Sequence, residues 1–268
     1  MNGKRPYKLP EPLLCSADKE INMTLIDEYI RKHEERMPRY RYLENLYKGF
    51  HDVFRLPEKE SWKPDNRLAV NFPRYITETF LGYAYGIPVK KSHPDEKIKD
   101  AILEFDRDND ISDQEYELAK KCCIYGHAFE YFYQDEEAKT KTVVCNPKEL
   151  FVVYDDTVKS RALFAVRYGK KDDNVTRYGE ILTRTEIIPF DGEKMQESIP
   201  NPYGRINCVE YVLNDERIGL YEEVAGMVET YNRVIGEKAN DVDSFAEAYL
   251  AVLGAELDDD GIYKIRDN

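Results

Sequence analysis

Histidine and tryptophan are scarce in this chain of 268 residues, and basic charge is outnumbered by acidic charge. The four histidines (His33, His51, His93, His127) are scattered, and none lies four residues from another, so no pair can grip a metal from one helix face. Five cysteines (Cys15, Cys122, Cys123, Cys145, Cys208) are an odd number without framework spacing. Adjacent Cys122 and Cys123 would diverge by about 100° on a helix, too far to share one metal easily. Neither a metal site nor a disulfide is expected. Glycine-rich phosphate loops, GxSxG elbows and HExxH are absent as well, so the sequence indicates no catalytic residue and no cofactor. No apolar run approaches the ~20 residues that span a bilayer, and the first twenty residues lack the apolar core of a secretory signal. A soluble, reduced, cytosolic chain with no membrane partner is expected. Basic residues number 39 against 52 acidic ones, a net charge of −13. That balance argues against tight gripping of a phosphate backbone and suits a surface from which phosphate is repelled.

What the chain does have is a 42% hydrophobic fraction, enough for a real core, and 21 tyrosines and 11 phenylalanines suited to partly buried surfaces. Residues 1–20 read as an arm. Leu25, Ile26, Tyr29, Ile30 and His33 mark a first helix. After Met37 and Pro38, Tyr42, Leu43, Leu46, Tyr47 and Phe50 mark a second. Residues 51–65, with Trp62, read as a loop. Phe72, Tyr75, Ile76, Thr79, Phe80 and Tyr83 then recur at steps of three and four, predicting a helix with that face apolar, opened near Pro73 and stopped by Gly86 in a left-handed turn. A further helix is expected over about 95–106, capped by Ser92 and apolar at Ile98, Ala101, Ile102 and Phe105. Another starts at Ser112, with Glu115 closing a capping box and Ile111 stapled onto Tyr116, and ends near Gly126.

From residue 128 to 213 the texture turns to β. Segments near 128–134, 141–145, 150–154, 161–168, 175–182, 184–190 and 206–213 are rich in Val, Ile, Tyr and Phe, and short acidic or glycine turns separate them. Such links favour antiparallel pairing. The last tract is helical again. Tyr221, Val224, Val228, Tyr231, Ile235, Lys238, Val242, Phe245 and Tyr249 alternate steps of three and four, a seam broken only by Lys238. Glu223, Glu237, Asp241 and Glu247 fall on the far side. Gly226 and Gly236 each weaken that helix by about 1 kcal/mol relative to alanine, so support from another helix is expected. Residues 106–117 imitate a calcium loop, but Ile111 stands where the sharp turn needs glycine.

Several blocks, in order, resemble the portal proteins of tailed bacteriophages of Gram-positive hosts. These are Asn66 through Asn71 and Phe72; Gly82-Tyr83 with Gly86, Pro88 and Val89; and the helix ending in Tyr47, Lys48 and Gly49. Tyr125-Gly126 passing into Ala128-Phe129-Glu130, the strand pair 147–156 and 162–168, the block 201–211, and 220–254 complete the set. The resemblance implies an α+β chain with N-terminal helices (1–65), an antiparallel β-rich wing domain (66–215), a long C-terminal stem helix (216–254) and the start of a clip (255–268). It further implies a non-enzymatic subunit of a homo-oligomeric ring, a dodecamer in full length, at the capsid vertex. Double-stranded DNA passes through such a channel without sequence-specific binding during packaging and ejection, and terminase, capsid and head-tail adaptor proteins are the implied partners. The expected location is the virion, with a host-cytoplasm stage during assembly. On this reading the seam is an oligomer or stem contact and the four acids face the channel. Family chains continue through a returning stem helix and a crown, so ending at Asn268 reads as a truncation. Two alternatives stand beside it. One is another virion assembly or adaptor protein, separated by whether a ring with a DNA-wide channel forms. The other is a metal-dependent DNA enzyme, which needs carboxylates converging on a divalent ion.

Overall fold

In the computed structural model, which describes residues 7–173 and 175–248, the chain begins with β1 (Leu13–Cys15), α1 (Met23–Glu34) and α2 (Met37–Lys48). A 3-10 turn, Asp52–Arg55, precedes α3 (Phe72–Tyr85), α4 (Glu96–Asp108) and α5 (Ile111–Tyr125). Strands β2 (His127–Gln134), β3 (Thr140–Cys145), β4 (Leu150–Asp155), β5 (Ala162–Lys170), β6 (Arg177–Leu182) and β7 (Glu186–Asp191) follow. The short β8 (Lys194–Met195) and β9 (Ile199–Pro200), then β10 (Cys208–Val212) and α6 (Ala225–Ala248), complete the order. The mix is α+β with predominantly antiparallel sheets. The described residues form two compact units: 7–50 with 71–228, and 51–70 with 229–248.

The first unit holds two sheets. A seven-stranded sheet runs β1-β4-β5-β6-β7-β8, with β9 also on β7, and only the β1–β4 pair is parallel. α1 lies on this sheet because Leu25, Ile26, Tyr29 and Ile30, spaced for one helix face, pack onto Phe151, Val153, Phe164, Val166 and Ile181. Asn22 starts the helix, its side-chain oxygen accepting from the Leu25 N–H at 3.0 Å. His33 ends the buried stripe. Pro147 O can only accept, so His33 Nε2 donates to it at 2.8 Å and Nδ1 takes the Tyr168 hydroxyl at 2.9 Å. Burial pushes that ring down to about 3, so it is neutral.

The second sheet, β10-β2-β3, packs with α5. Its β3 edge is closed by side chains rather than by a strand. Asn109 Oδ1 accepts from Thr142 N at 3.0 Å, Gln114 Oε1 accepts from Val144 N at 3.0 Å, and Gln114 Nε2 donates to Thr142 O at 3.1 Å. Those amides satisfy an edge that would otherwise invite pairing.

Several expectations are corrected. Residues 13–15 are no loose arm: Leu13 and Cys15 are buried in the core under α1. α4 is capped by Asp95, which accepts from Lys97 N, and not by Ser92. Ser112 lies inside α5, whose N-cap Asp110 sits in the left-handed region at φ 48°, so the capping box does not form. Gly86 is right-handed, φ −65°. The 51–65 stretch includes the 3-10 turn. On α3 the buried stripe is Pro73, Thr77 and Leu81, whereas Tyr75 and Tyr83 are 68% and 93% exposed. Both stripes repeat at helical steps. The narrower one packs because Thr77 satisfies its hydroxyl on Pro73 O at 2.8 Å, so Leu81 can close onto Ala119 and Cys123.

Candidate assembly surface

The root of α6 is fixed by an unusual concentration of buried charge. Gly126, which ends α5 at φ +86°, lies against the connector leading to α6; a Cβ there would sit 1.9 Å from Arg217 O. Arg217 reaches back to β10, with Nε 2.7 Å from Glu210 Oε1 and Nη2 2.8 Å from Oε2. The same carboxylate takes the Tyr154 hydroxyl and lies 2.7 Å from His127 Nδ1. A carboxylate only accepts, so His127 donates from Nδ1, and its Nε2 accepts from the Tyr40 hydroxyl at 2.8 Å. Burial alone would raise the Glu210 pKa, but Arg217 and His127 outweigh it and hold the group well below the carboxylate range. Burial lowers the pKa of His127, only partly offset by Glu210. Arg39, on α2, pairs with Glu222 and donates from Nη2 to Arg217 O at 2.8 Å. Tyr221, expected to open the seam, instead lies ahead of the helix, fully buried, with its hydroxyl on Leu43 O at 2.7 Å.

The second unit is held differently. Residues 51–70 run along α6 as a strap joined to it by polar side chains. Glu229 takes His51 Nδ1 at 3.1 Å and Asp52 N at 3.0 Å. Asn232 Oδ1 accepts from Val70 N at 2.8 Å, and Asn240 Oδ1 accepts from Asn66 N at 2.6 Å. Asp243 takes Asn66 Nδ2 at 2.5 Å, and Lys59 pairs with Glu237 at 2.8 Å. Between the asparagines Gly236 lets the strap in: a Cβ there would lie 2.8 Å from Asn66 O. Positions 229, 232, 236, 240 and 243 share one helix face. Sequence reasoning missed this polar stripe because it sought apolar repeats. The available signal was the presence, within one helix, of two asparagines and a glycine four residues apart, all poor helix formers.

The remaining seam residues fall variously. Val228 is buried and Ile235 half-buried, while Val224 and Tyr231 are exposed, as are Val242 at 60% and Phe245 at 59%. Met227 at 73% and Val234 at 56%, not singled out by the spacing, are exposed too. Glu237 and Asp241 line one shallow groove together with Val234, Val242 and Phe245, so acids and apolar groups share a face. Glu223 is exposed ahead of the helix. Tyr249 and the Glu247 side chain lie outside the described residues, as does 255–268. The buried apolar clusters of the described residues draw nothing from 51–70 or from 229 onward. This unit therefore shows a helix and a strap joined by hydrogen bonds and an apolar surface facing solvent.

Among the described residues, no group of three or more His, Cys, Asp or Glu is placed to hold a metal. The carboxylates of the supposed calcium loop are divided between helices, with Asp106 and Glu115 both on Lys91. Burial raises the Cys122 and Cys123 thiols to about 12 and 11, so both are neutral. No described helix is long and apolar enough to cross a membrane.

The chain is 21% identical over 277 aligned positions to the portal protein of Bacillus phage SPP1, an alignment covering 91% of this chain and 54% of that relative. The chain thus spans about half the length of the curated relative. The model of the family described as phage portal protein, SPP1 Gp6-like, matches residues 26–268, nearly the whole chain, and the protein belongs to that family.

Proposed function

We propose that this chain is a subunit of a ring at one vertex of a phage capsid, through whose channel DNA enters during packaging and leaves on ejection. The role is structural rather than enzymatic. The observation that carries the reading is the second unit, where Val234 and Val242 stand in solvent on a stretch of α6 that, from residue 229 on, adds nothing to a buried apolar cluster among the described residues. Exposed apolar side chains in that number mark an association surface. A ring of like subunits would cover them by repeating one contact around an axis.

In this account residues 66–215 form the wing, the tract from 216 to 254 is the stem and the chain beyond it begins the clip. Glu223 and Glu247 lie nearer the channel, where negative charge keeps DNA mobile, and Glu237 and Asp241 sit beside Val234 and Val242 on the contact face. Terminase, capsid and adaptor proteins are the expected partners. Electron microscopy of the full-length protein tests the reading, which requires a closed ring with an axial channel wide enough for duplex DNA. Filaments, or a ring without such a channel, favour an adaptor role instead.

A further inference from the structure

A groove of about 730 Å³ opens in the first unit, between the last turns of α3, residues 89–91, α5 and the sheet β10-β2-β3. Phe80, Tyr85, Val89, Leu118, Phe132 and Leu213 give it apolar walls. Cys122 and Cys123, both neutral, add to the apolar surface. α4, on the outer side, buries none of its residues fully, so that wall is thinly anchored. The mouth is acidic. Lys91 is held by Asp106 at 2.9 Å and Glu115 at 3.2 Å, and Glu130 lies on the same rim, accepting from Thr142 Oγ1 and the Tyr211 hydroxyl. Two carboxylates thus hold the Lys91 ammonium, and Glu130 adds a third negative charge to the lining.

We propose that this groove docks an amphipathic helix of a partner protein, apolar along one face and flanked by lysine or arginine. This goes beyond the ring-forming reading, which concerns contacts between like subunits. The walls offer apolar contact, and none of the buried side-chain polar atoms left without a partner among the described residues belongs to the groove. An added strand finds no ladder at the bordering β3 edge, because Asn109 and Gln114 already occupy those backbone groups. A helix brings its own backbone bonds and needs only side-chain pockets. The acidic rim, on a chain of net charge −13, selects for a cationic flank.

The probes are three labelled synthetic peptides of about five helical turns: an amphipathic Leu/Lys helix, its Leu/Glu counterpart, and a Leu/Lys scramble without an apolar face. Anisotropy titrations against the full chain should show the first binding and the other two weaker by about tenfold or more. Ala84→Trp, at an exposed position lining the groove, and Val89→Glu should each weaken the Leu/Lys helix by about tenfold with the thermal midpoint unchanged. Glu115→Lys should weaken it and flatten its salt dependence. Equal binding of the Leu/Glu helix overturns the proposal. So does binding that survives both Ala84→Trp and Val89→Glu, or that is lost only with Glu237→Lys and Asp241→Lys on α6.

Discussion

Arg39 and Glu222, 183 positions apart, form a buried two-point ion pair that ties α2 to the root of α6. Arg39 Nε donates to Glu222 Oε1 at 2.8 Å, and Glu222 Oε2 also takes the Gly219 N–H at 2.9 Å. Neither charge reaches solvent, so each depends on the other. Removing one partner strands a buried charge. Arg39→Met and Glu222→Gln should each cost about 3–5 kcal/mol in denaturant unfolding, and Arg39→Met with Glu222→Leu should recover much of that loss. Strictly additive losses would show that the pair does not act as a unit.

Acid sensitivity should follow the buried histidines. His33 is held neutral down to about pH 3, and burial lowers His127 as well. The unfolded chain protonates both near pH 6.5, while the folded chain does not. Stability is therefore complete above about pH 6.5 and falls below it, by about 1.4 kcal/mol per pH unit for each extra proton bound by the unfolded state, until the folded-state pKa is reached. His33→Gln should flatten this fall between about pH 6 and 3 in urea titrations at fixed ionic strength. An unchanged slope contradicts the assignment.

The strap on α6 gives a result of unusual sign. Gly→Ala within a helix normally stabilises by about 1 kcal/mol. Gly236→Ala should instead destabilise, because its Cβ meets Asn66 O at 2.8 Å. Asn240→Ala removes the acceptor for Asn66 N and should act in the same direction, by about 1–2 kcal/mol. Hydrogen exchange checks this directly: amides in 51–70 should exchange faster in both variants while the sheets keep their protection.

Much of the fold was legible because periodicity and composition report on burial. The stripe Leu25, Ile26, Tyr29, Ile30 and His33 became the buried face of α1, and the β-rich segments became strands in antiparallel sheets. What failed was whatever depended on a distant partner. Tyr75 and Tyr83 looked like a core face, but α5 meets the neighbouring stripe on α3. Tyr221 looked like a helix seam and proved to be an anchor on Leu43. The asparagine stripe on α6 and the network around Glu210 join residues far apart in sequence, so no local pattern announced them.

The central claim is that the exposed apolar side of α6 is an interface between subunits. The most direct measurement compares the mass, by light scattering, and the electron micrographs of the full-length protein with those of its Val234→Asp, Val242→Asp variant. The account predicts a closed ring for the parent and monomers for the variant, with the thermal midpoint of the first unit preserved. Rings of equal size in both proteins, or a parent that stays monomeric at assembly concentrations, contradict it.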